Sequence, residues 1–114
     1  MLNQAVLVGR IVQEPTLKRT DNGKNVANII LAVPRSFKNN EGEYDTDFIS
    51  CVLWQGIAEN TVEYCKKGDL VGIRGRIQTR IADIDEDTKR QYVEVVAKKV
   101  ENKLKQSNLL FFNH

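Results

Sequence analysis

Two aromatic side chains in one short apolar stretch are the first candidates for binding chemistry. They are Phe48 and Trp54, within the segment Asp47–Trp54 (DFISCVLW). The segment alternates as a β-strand does, so side chains six residues apart share one face, and the opposite face predicts core residues. The two rings either pack under a second layer of protein or form a platform on which flat groups stack. From this strand alone, burial is the favoured interpretation.

A row of arginines is the second candidate feature. Arg74, Arg76 and Arg80 fall on one face of a predicted strand over Asp69–Arg80. Like charges on one strand face repel each other unless an anion lies across them, so the row indicates a track for phosphate groups. The alternative is three separate ion pairs on an ordinary protein surface.

Side chains typical of catalysis are sparse. The sole histidine is His114, and the sequence contains no convincing Ser-His-Asp or Cys-His set and no glycine-rich phosphate loop. Cys51 and Cys65 lack the paired spacing of a zinc site, and we expect them to be buried free thiols. The sequence therefore predicts a binding protein that is not an enzyme and that uses no metal or other cofactor.

Charge is arranged in blocks, although the net charge is only +2. Residues 65–80 hold five basic residues and one acid, and residues 88–105 hold six basic residues and two acids. The acids gather in residues 36–64, with six acids and one lysine, and in residues 81–87, with four acids and no base. A basic surface assembled from two segments suits a polyanionic partner.

Length and composition indicate one globular domain, since the 114 residues are 41% hydrophobic and 28% charged. No apolar run approaches the roughly 20 residues that a membrane span needs. Met1–Arg10 lacks the basic start and the cleavage site of a signal peptide. We therefore expect a cytoplasmic protein without membrane contact.

The elements that position these residues follow from the apolar periodicity. A helix over Ile57–Lys67, closed by Gly68, is the one clear helical signal. Leu2–Val12 is apolar on both faces, which indicates burial on both sides or pairing with another subunit. The five predicted strands are Leu2–Val12, Asn25–Phe37, Tyr44–Trp54, Asp69–Arg80 and Gln91–Val100.

Five strands with a single short helix between the third and the fourth is the order of an all-β OB-fold barrel. Ligands of that fold bind on the face of strands 2 and 3, which here carry Phe37, Phe48 and Trp54. The fold therefore shifts the favoured interpretation of the aromatic face from burial to stacking. Arg35 and Lys38 flank Phe37 at the outer end of the same hairpin and join the candidate contacts.

Several stretches, taken together and in order, are similar to one protein family. They are Asn3–Gly9, Asn22–Ala32, Asp47–Leu53 followed by Ala58 and Glu59, Tyr64–Asp69, Gly75–Arg80 and Glu94–Val96. On these residues the chain resembles the bacterial single-stranded DNA-binding proteins, over nearly all of residues 1–105. The finer likeness is to the short second copy of some Gram-positive bacteria, which is associated with DNA uptake and recombination.

The resemblance implies roles for particular residues. Phe48 and Trp54 match two base-stacking aromatics, and Phe37 matches a third. Contacts to the DNA backbone are implied at four basic positions: Lys18, Lys67, Arg80 and Arg90. The alternation and the hairpin, without the resemblance, add four more basic candidates for DNA binding: Arg35, Lys38, Arg74 and Arg76.

The resemblance also implies an activity and an assembly. The activity is sequence-independent binding and protection of single-stranded DNA in replication, recombination, repair or DNA uptake. The assembly is a homotetramer in which Leu2–Val12 pairs across subunits. Recombination or replication proteins stay open as further partners, and the resemblance implies association with the nucleoid.

Two departures from the family pattern qualify these expectations. Ala82 stands where the family usually has an aromatic residue, so we expect affinity per subunit to be lower by about 1–3 kcal/mol if that base finds no other ring. Beyond an OB-fold domain over residues 1–105, we expect a short tail over residues 106–114 that lacks the acidic tip with which the family recruits enzymes.

Two other interpretations stay open on the sequence. An OB-fold adaptor in primosome or recombinase assembly would use the aromatic face as a protein interface. An RNA-binding module of translation would use the same face for stacking.

Overall fold

A computed structural model describes residues 1–103 and the backbone of residues 110–112. One helix and seven strands make up this part of the chain. In chain order they are β1 (Ala5–Ile11), β2 (Lys18–Arg19), β3 (Asn25–Lys38), β4 (Tyr44–Trp54), α1 (Gln55–Tyr64), β5 (Leu70–Asp83), β6 (Lys89–Asn102) and β7 (Leu110–Phe112).

The five long strands close into a barrel formed by one continuous sheet. Antiparallel pairing joins β1 to β5 and β5 to β6, and likewise β2 to β3 and β3 to β4. Two narrow seams close the barrel: Arg10 and Ile11 of β1 pair with β3, and Cys51 and Val52 of β4 pair in parallel with β6. With one short helix between the third and fourth barrel strands, this arrangement confirms the predicted OB-fold.

The barrel interior is filled by every second residue of the strands, as their period of two predicts. Leu31, Leu53, Val71 and Val100 are fully buried there. Removing such a side chain from water contributes about 1.5–3 kcal/mol to folding before entropy costs are counted. The helix α1 adds its buried face to the same core through residues that include Ile57. Cys51 and Cys65 are buried free thiols, as predicted.

The helix begins two residues earlier and ends three residues earlier than predicted, since it spans Gln55–Tyr64. Two side-chain interactions draw the chain out of the helix: the Lys66 N–H donates to the Asp69 carboxylate at 3.1 Å, and Asn102 Nδ2 donates to that carboxylate at 3.0 Å. Gly68 therefore does not cap the helix. It lies in the turn closed by the Asp69 N–H and the Lys66 carbonyl, with φ at 91°.

Two hairpins extend past the barrel as arms. The β3–β4 arm consists of Pro34–Lys38 and Tyr44–Phe48, which pair as far as Lys38 and Tyr44. The β5–β6 arm consists of Ile77–Asp83 and Lys89–Val93, so the two strands predicted to end at Arg80 and to begin at Gln91 extend further, through residues 81–83 and 89–90. The cross-strand pairing of the arm explains this difference, because alternating charged residues are tolerated on a hairpin with both faces in water.

A bulge bends the sheet where β5 leaves β1. The register of β5 on β6 shifts between Arg74 and Gly75. A Cβ atom at Gly75 would lie 2.1 Å from the Val96 carbonyl oxygen, so only glycine allows the two backbones to approach this closely.

The C-terminal segment adds one short strand. β7 pairs antiparallel with residues 99–101 of β6. The predicted boundary between a domain over 1–105 and a tail over 106–114 lies outside the described residues, and it stays a prediction.

Candidate nucleic-acid interface

The strand register places the aromatic and basic candidates on one side of the barrel wall. Phe48 and Trp54 lie opposite Ala32 and Val26 of β3. Across the seam, the alternation continues onto β6 and then β5, because partners in a ladder point to the same side of a sheet. We call this side the outer face, and its members on four strands are Val26, Asn28, Ile30 and Ala32 of β3, Phe48, Ser50, Val52 and Trp54 of β4, Tyr92, Glu94 and Val96 of β6, and Arg76, Gln78 and Arg80 of β5.

The aromatic rings of the outer face differ in burial. Phe48 is 67% exposed, although it lies within a strand whose neighbours on the core side are apolar. Trp54 is half-buried where β4 meets α1. No second layer of the described chain covers Phe48, so its ring is available for contact with a flat partner.

The tip of the β3–β4 arm carries a third exposed ring beside a cation. Phe37 is 64% exposed. The register between β3 and β4 shifts between Pro34 and Lys38, and such irregularities turn side chains away from their regular direction. Lys38 lies opposite Tyr44, with its ammonium group 5.8 Å from the centre of the tyrosine ring.

Arg35 lies on the other side of the same arm. Its guanidinium group binds the Asp47 carboxylate at 2.9 and 3.1 Å and lies 3.8 Å from that of Asp45. Because Asp47 precedes Phe48 in the strand, this ion pair faces away from the outer face. The hydrogen bonds from Arg35 hold the pKa of Asp47 below its usual value.

The row of arginines on β5 does not act as one unit. Arg80 lies 3.6 Å from the Glu94 carboxylate, and its guanidinium group stacks on Tyr92 with 4.6 Å to the ring centre. Arg74 and Arg76 are exposed and form no ion pair with the described residues. Arg76 lies opposite Val96 on the outer face, and Arg74, two residues earlier on the same side of β5, lies between Val6 of β1 and Lys99 of β6. The alternative of three separate ion pairs therefore holds for Arg80 alone.

The remaining three basic candidates lie at three separate places. Lys18 of β2 lies opposite Val26, which in turn lies opposite Trp54, so the three form one row across the outer face. Arg90 lies opposite Ala82 on the β5–β6 arm. Lys67 lies apart from both, in the loop after α1, where its backbone N–H donates to the Glu14 carboxylate at 3.2 Å.

Two groups of residues at this face escaped the sequence analysis. Tyr92 lies opposite Arg80, two pairs from Ala82 and on the same side of the arm, and thus brings a ring close to the position where the family has an aromatic residue and this chain has Ala82. Pairing the residues of the two strands outward from the turn between β5 and β6 would have placed Tyr92 opposite Arg80. Thr20, Asn22, Lys24 and Gln55 line a cleft with Trp54. No local pattern predicts that cleft, because its residues come from two separate elements.

Burial in the core raises the pKa of the Cys51 thiol to about 12, which favours its protonated form at neutral pH. Within residues 1–103 and 110–112, no group of histidine, cysteine or acidic side chains is arranged to hold a metal ion. The same residues include no helix with the length and apolarity needed to cross a membrane.

Comparisons of the chain with a family model and with individual proteins agree on one family. Residues 2–102 match the Single-strand binding protein family. The chain is 50% identical over 97 residues to "Single-stranded DNA-binding protein B" of Bacillus subtilis, covering 85% of this chain and 86% of that protein. It is 50% identical over 101 residues to the "Single-stranded DNA-binding protein" of Halalkalibacterium halodurans, covering 89% of this chain but 60% of that protein.

A further relative is "Single-stranded DNA-binding protein 3" of Listeria innocua, 49% identical over 102 residues, with 89% of this chain and 63% of that protein covered. The chain thus spans most of the Bacillus subtilis protein and about 60% of the length of the other two. The family match covers nearly all of the barrel, including both arms and the outer face. The chain belongs to the Single-strand binding protein family.

Proposed function

We propose that this chain binds and protects single-stranded DNA on the outer face of its barrel. Its relatives are named single-stranded DNA-binding proteins, which supports the binding. The observation that carries the proposal is the exposed ring of Phe48, on the same face as Trp54. Every base offers a flat face to such rings, so stacking on them is tolerant of sequence. Phe37 extends the platform toward the tip of the β3–β4 arm.

Phosphate contacts supply the second half of the mechanism. The cations that share the outer face or continue it along the β5–β6 arm are Lys18, Arg76, Arg80 and Arg90. Lys38 extends this set to the tip of the β3–β4 arm, and Arg74 and Lys67 extend it toward β1. Neutralising phosphates releases condensed counterions, so the affinity falls as salt rises. No bond is made or broken in this proposal.

Assembly is the second part of the proposal. Residues 5–8 of β1 pair only with β5 within the described chain, and Val6 and Val8 expose 61% and 48% of their surface. A strand with one open edge and exposed valines suits pairing with a second copy. We propose that the chain forms a homotetramer through this strand and acts in the cytoplasm wherever replication, recombination, repair or DNA uptake exposes single strands.

The test is a titration with an oligomer of deoxythymidine, followed by the fluorescence of Trp54 at several salt concentrations. We expect strong quenching and a log–log salt slope of about −0.7 for each phosphate contacted. Phe48→Ala should lower the affinity by about 1–3 kcal/mol without unfolding the protein, because the ring is exposed. A folded protein that leaves Trp54 unquenched, or that keeps full affinity after Phe48→Ala, would favour the adaptor alternative.

A further inference from the structure

A cleft beside Trp54 has no role in stacking or phosphate contact as described so far. Its volume is about 390 Å³. Trp54 and Gln55 line it from the junction of β4 and α1, and Thr20, Asn22 and Lys24 line it from the turn between β2 and β3. Its lining thus combines one indole ring, two carboxamides, one hydroxyl group and one ammonium group.

The two walls of the cleft are held in place by hydrogen bonds. The Thr20 N–H donates to the Lys24 carbonyl at 2.9 Å, and the Lys24 N–H donates to the Thr20 hydroxyl at 3.1 Å. Asn25 Nδ2 donates to Glu59 of α1 at 2.5 Å, which ties the end of the turn to the helix. Because these bonds connect the turn to itself and to α1, the cleft exists before any ligand binds.

The carboxamides of the cleft are free. Asn22 and Gln55 are exposed, and neither side chain has a hydrogen-bond partner among the described residues. Gln55 also has a φ of 53°, the one positive value among the described residues other than glycine. Such a backbone conformation is costly for a glutamine, and it is found more often where function requires it.

We propose that this cleft is a subsite for one nucleobase. The base stacks on Trp54, and Asn22 and Gln55 form hydrogen bonds with its Watson–Crick edge. A carboxamide presents one donor and one acceptor side by side, which matches bases that carry an adjacent acceptor and donor. Lys24 fits the phosphate next to that base. The inference rests on the proposed function and adds to it one position of base recognition in an otherwise sequence-tolerant track.

The test compares thymine with 2,4-difluorotoluene, which has the shape of thymine but forms only weak hydrogen bonds. Two short oligonucleotides, one of thymidine and one with every thymine replaced, are bound to the full chain and its variants. We expect the ratio of their affinities to fall by about two- to tenfold in Asn22→Ala and in Gln55→Gly. Glycine adopts the positive φ at position 55 without strain, so this variant removes the side chain and keeps the backbone.

Lys24→Ala is the matched control, because it alters the same cleft without removing a carboxamide. We expect it to weaken both oligonucleotides equally and to leave their affinity ratio unchanged. If the wild-type protein binds thymidine but Asn22→Ala and Gln55→Gly keep its affinity ratio, the base subsite is refuted. If the wild-type protein binds neither oligonucleotide, the proposed function itself is refuted.

Discussion

Arg35 forms its ion pair within the protein. Its ion pair with Asp47 lies behind the ring of Phe48 and links the two strands of the β3–β4 arm. Since the folded pKa of Asp47 lies below the ordinary value, the contribution of the pair is present at every pH above that value. It is lost only as the pH falls through the lowered pKa. We infer that Arg35 orders the arm on which Phe37 and Phe48 are presented.

This position separates Arg35 from the other basic candidates in a salt titration. We expect Arg35→Ala to leave the log–log salt slope of binding to single-stranded DNA nearly unchanged, because a guanidinium group held by Asp47 releases no counterion from the DNA. Arg76→Ala is the control on the outer face, and it should reduce the slope by about 0.7. The measurement is the affinity for an oligomer of deoxythymidine at four or more salt concentrations. Equal changes of slope in the two variants would show that Arg35 contacts a phosphate as Arg76 does.

At the scale of elements, the close approach of β5 to β6 depends on Gly75. The bulge at this residue lets β5 leave β1 and continue into the β5–β6 arm, which carries Arg80 and Tyr92. Any side chain at this position would collide with the backbone of Val96 rather than with a movable side chain.

We therefore expect Gly75→Ala to lower the free energy of unfolding by about 3 kcal/mol, as overpacking of a rigid site does. Gly56→Ala is the control, since a Cβ atom there meets nothing within 4 Å and lies in a helix. It should raise the free energy of unfolding by up to about 1 kcal/mol. Urea unfolding at one fixed protein concentration measures both variants. An unchanged free energy of unfolding in Gly75→Ala would mean that the β6 backbone at Val96 moves to accommodate the added methyl group.

The elements also show what the sequence could predict. The alternation over Asp47–Trp54 predicted the two faces of β4, because burial on one side of a strand leaves a local period of two. The end of α1 could not be predicted, since it depends on Asp69 and on Asn102, which is 33 residues further along the chain. The ion pair of Arg35 and the place of Tyr92 likewise depend on the register across a hairpin, which single residues do not reveal.

At the scale of the whole molecule, the open edge of β1 determines how copies can meet. Val6 and Val8 are exposed in one copy, so charged residues there are compatible with the barrel. In an assembly paired through β1, the same charges would be buried at the contact and would oppose it.

We expect the double variant Val6→Lys, Val8→Lys to sediment as a smaller species than the wild-type protein while its circular dichroism spectrum stays that of a β-protein. Leu17→Lys is the control, because Leu17 is an exposed apolar residue outside β1. It should keep the wild-type mass in sedimentation equilibrium. A double variant with the wild-type mass would exclude β1 as the contact between copies.

The two seams of the barrel have a consequence for folding and for the bound state. The pairs β1–β5, β5–β6 and β3–β4 are joined at six or more positions each, whereas each seam is joined at two positions. Because few backbone hydrogen bonds hold a seam, we expect the barrel to open first along the seams when the protein unfolds. The outer face crosses the seam between β4 and β6, with Phe48 on one side of it and Arg76 on the other. Single-stranded DNA that contacts both sides would hold this seam closed, so we expect bound DNA to stabilise the protein most at this place.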